Sequence, residues 1–130
     1  MRVLSVPLTL SFLAVSPATA SEHWFYVRGE WNPTTSEMEV LRVGIEQQVR
    51  LLAQKKHWKL RDWDTYKFQY QAQTVANQRI VIINAFCYLD DSIDLHQELV
   101  VVLDGGNCYF TVKFDPTTNV FFDLFVNGEA

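Results

Sequence analysis

The sequence predicts an α+β domain in which one long helix packs on a curled antiparallel sheet of four or five strands. Three observations predict it. Met38, Leu41, Ile45, Val49 and Leu52 recur every three or four residues, the spacing of one apolar stripe along an α-helix. From Tyr66 the period changes to two: Tyr66, Phe68, Tyr70, Ala72 and Thr74 alternate with Lys67, Gln69, Gln71 and Gln73, as on a strand with one wet face. Short apolar runs separated by turn-forming residues then continue towards the C-terminus.

Each element has its own local signals. Residues 22–28 (EHWFYVR) are aromatic and read as a short strand or a docked arm. The helix begins between Asn32 and Ser36, where three starts compete: Asn32-Pro33, a capping box of Thr34 with Glu37, and one of Ser36 with Glu39. Glutamates early (Glu37, Glu39, Glu46) and cations late (Arg50, Lys55, Lys56) complement the helix dipole. Gly44 inside the helix weakens it and lets it approach a sheet closely. Ala76-Asn77-Gln78 reads as a tight turn with Asn77 left-handed. Arg79 to Leu89, apolar on both faces, reads as a central strand. A polar loop from Asp90 to Gln97 follows, then a strand Glu98–Leu103 (ELVVVL), the turn Asp104-Gly105-Gly106-Asn107, a strand Cys108–Phe114, the turn Asp115–Asn119 (DPTTN) and a last strand Val120–Val126.

Composition limits the function. The chain has 130 residues, 48% of them hydrophobic and 20% charged, which excludes a disordered protein. A net charge of −4 argues against nucleic acid as a partner. The first twenty residues read as a cleavable export signal: Arg2, an apolar run from Val3 to Val15, and the small-residue site Ala18-Thr19-Ala20. Cleavage after Ala20 makes residues 21–130 a single α+β domain of the periplasm or the exterior. The apolar run is shorter than the ~20 residues a spanning helix needs, so no membrane span is expected.

The turn Gln73-Thr74-Val75-Ala76-Asn77, set between the first two strands after the helix, resembles the Q-x-V-x-G hallmark of the cystatins, small secreted inhibitors of papain-like cysteine proteases. Asn77 stands where that pattern has glycine, a mild exchange in a left-handed turn. The similarity spans roughly Met38 to Leu89. It implies a helix wrapped by an antiparallel sheet, no catalysis, no cofactor, and a protein partner such as a hydrolase, held by an N-terminal segment and hairpin turns. On that reading the partner-binding residues are Gln73, Val75, Ala76, Asn77, Trp24 and Trp31, with Gly29 in place of the family's N-terminal glycine. The tryptophan that cystatins carry in their second hairpin loop has no counterpart in DGGN or DPTTN. The same layout also resembles cone-shaped nuclear-transport-factor-like domains, which bind small molecules in the concavity; Tyr66, Phe68 and Tyr70 would then line a cavity. A structural or assembly role through an exposed edge strand is the third alternative. The C-terminal half resembles small exported bacterial proteins of no assigned activity.

Candidate chemistry is sparse. Cys87 and Cys108, the only thiols, read as a disulfide in an oxidising compartment. A plain meander would place ELVVVL between their strands and hold them about 10 Å apart, whereas a disulfide needs Cα atoms within about 7 Å. Their strands are therefore neighbours, a bend joins them, or both thiols are free. Asp90, Asp91, Asp94, His96 and Glu98 crowd one loop but lack the spacing of a calcium loop, and His23, His57 and His96 are scattered, so no metal is expected. Six of the eleven basic residues (Arg50, Lys55, Lys56, Lys59, Arg61, Lys67) fall in one stretch and read as helix C-terminal capping plus a wet connector. No nucleophile elbow or phosphate-binding loop marks the chain as an enzyme.

Overall fold

The computed structural model describes residues 23–128, so the export signal expected at residues 1–20 lies outside the described residues. One helix, α1 (Thr35–Lys55), packs on an open five-stranded sheet whose strands β1 (Trp24–Tyr26), β2 (Lys67–Val75), β3 (Gln78–Phe86), β4 (Tyr109–Asp115) and β5 (Val120–Val126) lie side by side in that order. The α+β architecture of one helix on a sheet is as the sequence predicts.

The helix starts at Thr34, which settles the competition among caps. The Thr34 hydroxyl accepts from the Glu37 N–H at 3.0 Å, and the Glu37 carboxylate accepts from the Thr34 N–H at 2.9 Å. At the other end His57 turns left-handed (φ 59°) and the Trp58 N–H closes on the Ala53 carbonyl. The expected stripe is the buried one: Met38, Leu41, Ile45 and Val49, with Ala53, face the sheet. They pack on Tyr66, Phe68, Val81, Ile83, Phe110, Val112, Phe114 and Phe121. Tyr66 and Phe68 are themselves fully packed, so the helix side of the sheet is filled by side chains. Tyr70, the third ring of the small-ligand reading, is half-buried.

The sheet is mixed, because β1 pairs with β2 in parallel, Trp24 opposite Phe68 and Tyr26 opposite Tyr70. The cause is the chain path. β1 leads up to the helix, the helix carries the chain back down, and β2 must run up again. The remaining pairs are antiparallel. Strand β5 carries a bulge at Asp123 (φ 54°), which shifts its inward residues from Phe121 to Leu124 and Val126.

The Glu98–Leu103 run is not a strand of the sheet. Both edges of β3 are taken, one by β2 and the other by β4, which leaves ELVVVL no place beside it. Residues 88–107 instead form a strap across the sheet face away from the helix. Sheet amides hold it there. Gln69 is completely buried, its Nε2 donating to the carbonyls of Leu95 (2.8 Å) and Glu98 (2.9 Å), its Oε1 accepting from the Val100 N–H (3.0 Å). Asn84 donates to Gln69 Oε1 and to the Val100 carbonyl, and Asn127 donates to the carbonyls of Val102 and Asp104. The face expected to be wet along Gln69, Gln71 and Gln73 is therefore dry at Gln69. With ELVVVL out of the sheet, Cys87 and Cys108 are neighbours: the Cys87 N–H donates to the Cys108 carbonyl, the Cα atoms lie 4.9 Å apart, and the disulfide ties the two ends of the strap together.

Candidate functional site

Three pieces of chain meet at one end of the sheet. The first is the segment Gly29–Asn32, which follows β1 and continues along β2. Gly29 is required there by close approach: a Cβ on it would stand 2.1 Å from the Ala72 carbonyl oxygen. The Glu30 N–H donates to that carbonyl at 2.8 Å, and the Glu30 carboxylate accepts from the Thr74 N–H. Trp31 then lies beside the end of β2, its indole N–H donating to the Gln73 carbonyl at 2.9 Å. The Arg79 guanidinium sits over the Trp31 ring, 3.9 Å from its centroid.

The second piece is the β2–β3 turn. Val75 and Gln78 close the ladder, and both turn residues take positive φ, 51° at Ala76 and 64° at Asn77. That geometry matches the twist of the flanking strands. Asn77 is the residue expected to be left-handed; Ala76 joins it. Val75 is left 52% exposed.

The third piece is the β4–β5 turn, built on Asp115. Its backbone carbonyl accepts from the Asn119 N–H, and its carboxylate from the Thr117 N–H at 2.8 Å. The other carboxylate oxygen accepts from the Gln78 amide at 2.7 Å, which fastens this turn to the β2–β3 turn. Burial opposes ionisation of Asp115, but the hydrogen bonds from Thr117, Gln78 and Thr118 outweigh it and hold the carboxyl below the usual carboxylate range. Val120, next in the chain, is half exposed.

Of the residues singled out in the sequence, Gln73, Val75, Ala76, Asn77 and Trp31 come together at this end. Trp24 does not. It lies opposite Phe68, five residues back along β2 from Gln73 or about 17 Å, and stacks on the Phe68 ring at 4.4 Å as part of the core margin. Its aromatic character reads alike for a core anchor and a contact residue; only the register separates them. The DGGN turn also lies apart, at the start of β4, where Gly105 (φ 95°) and Gly106 (φ 66°) lead the strap into Cys108. Glu30, Gln78, Arg79 and Asp115 were not singled out. Arg79 opening an otherwise apolar strand and Asp115 ahead of Pro116 were the available signals.

The arrangement presents backbone, two exposed valines and a tryptophan–arginine stack, with no nucleophile and base in contact. Among the described residues no group of three His, Cys, Asp or Glu side chains converges as a metal site, and no helix is long and apolar enough to cross a membrane. The crowded acids of the strap make local turns instead: Asp90 accepts from the Ser92 N–H, which helps hold its carboxyl low, and Asp94 from the His96 N–H. No family model matches the chain, and no curated protein or solved structure matches it.

Proposed function

We propose that this is an exported, non-catalytic binding domain that inserts its hairpin end into a groove on a partner protein, a papain-like peptidase being the partner the cystatin resemblance implies. The observation that carries this reading is the Gln78–Asp115 hydrogen bond. Together with the Trp31–Gln73 contact it holds the N-terminal segment and two hairpin turns as one edge. A pre-ordered edge loses little conformational freedom on docking. Val75 and Val120 supply apolar contact at its tips. Export agrees with the Arg2-to-Ala20 signal and with a disulfide, which suits an oxidising compartment.

Papain inhibition tests the narrow form. Val75→Asp, on an exposed turn flank, is expected to abolish inhibition while the far-ultraviolet circular dichroism stays unchanged. Failure of the parent chain to inhibit papain at about 1 mM, the weak limit of useful affinity, removes the peptidase as partner. A pull-down from the exported proteome in which Val75→Asp recovers the same partners as the parent removes the edge itself.

A further inference from the structure

The strap has one side that the sheet does not use. The carbonyls of Glu98, Val100, Val102 and Asp104 all turn towards the sheet amides. The carbonyls of Glu98, Val100 and Val102 pointing one way mark an extended chain from Leu99 to Val102, between bends at Glu98 and Leu103. The alternate groups point elsewhere: the N–H and C=O groups of Leu99, Val101 and Leu103 have no hydrogen-bond partner among the described residues. Val101 is 78% and Leu103 88% exposed. Beside them runs a groove of about 260 Å³, bounded on the sheet by Ile82, Thr111 and Phe125. An extended β-branched run with one free backbone edge is a template for another strand.

We propose that Glu98–Asp104 accepts an extended polypeptide segment as an added β-strand, and that this segment is apolar with basic flanks. Charge selects the occupant. Residues 90–104 contain Asp90, Asp91, Asp94, Glu98 and Asp104 and no lysine or arginine. A second copy is disfavoured, because antiparallel self-pairing about Val101 sets Glu98 opposite Asp104 in both halves, like charge on like charge. The added strand makes ladder bonds to Leu99 and Val101 and lays its apolar side chains along the groove.

The test is fluorescence anisotropy with the full chain, disulfide intact, and a fluorescein-labelled peptide Lys-Val-Thr-Val-Thr-Val-Lys. Two further probes are its Glu-flanked counterpart and a form N-methylated at alternate residues. The lysine-flanked peptide binds; the Glu-flanked and N-methylated forms bind at least about fivefold more weakly, the effect of about one lost hydrogen bond or charge contact. Val101→Pro removes an N–H that has no internal partner and suits an extended neighbour, so it leaves the urea midpoint unchanged and weakens the peptide by a similar factor. Absence of binding at about 1 mM peptide, or equal binding of the N-methylated form, overturns the proposal. A dimer by light scattering that Val101→Pro dissociates also overturns it and assigns the edge to a second copy.

Discussion

Replacing Gln69 by methionine keeps the length of the side chain and removes its amide. In the native protein that amide makes four hydrogen bonds, to the Leu95 and Glu98 carbonyls, the Val100 N–H and the Asn84 amide, at 2.8–3.0 Å and out of reach of solvent. At a net worth of about 1 kcal/mol each, they sum to about 4 kcal/mol if the strap stays in place over unsatisfied groups. The strap has another course: it can lift and give its carbonyls back to water, which limits the loss to what the strap contributes. The expected outcome is therefore a loss of 2–4 kcal/mol, roughly, with the Val100 amide losing its protection from hydrogen exchange. Urea unfolding with the disulfide intact measures the first, and exchange measured residue by residue the second. Gln73→Met is the control, because its side chain makes only the bond to Gln71 Oε1 and is partly exposed; it should lose less than about 1 kcal/mol. Equal losses in the two variants, or an unchanged Val100 amide in Gln69→Met, would refute the claim that this glutamine fastens the strap.

Three further outcomes are expected. Replacing Cys87 and Cys108 together by alanine frees a 21-residue separation and lowers stability by about 3 kcal/mol on the chain-entropy estimate, measurable as a shift in the urea midpoint. The Asp115 carboxyl ionises more readily in the folded than in the unfolded chain, so its contribution is complete above about pH 3.9 and disappears as pH falls through its lower folded value; Asp115→Asn should flatten the pH dependence of the urea midpoint in that acid range. Gly44→Ala should raise stability by about 1 kcal/mol and the melting temperature by about 4 °C, seen by calorimetry, because the new methyl group would meet Phe121 at an ordinary 3.6 Å and removes the flexibility of a helical glycine.

Of the candidate site, the sequence pointed to the turn at Gln73–Asn77 and to Trp31, whose residue types carry their own signal. It named the turns that hold Gln78 and Asp115 but not the contact between them, because a hydrogen bond between residues 37 apart in sequence leaves no local pattern. Trp24 and Trp31 looked equivalent in the sequence, and pairing with Phe68 or with Gln73 is what distinguishes them.

The helix with its stripe, the strand from Lys67 and the positive-φ turn at Asn77 were determined by the sequence alone, because each is written in residues a few positions apart and governed by local sterics and burial period. The parallel seating of β1, the exclusion of ELVVVL from the sheet, the dryness of Gln69 and the meeting of Cys87 with Cys108 were decided by the tertiary structure. The first depends on the chain path through the helix, and the other three on which strand occupies each edge of β3 and which face the returning chain covers. A strand has only two edges, and a run of high β propensity that finds both taken must satisfy its backbone elsewhere; here it does so on three side-chain amides, leaving its other side open.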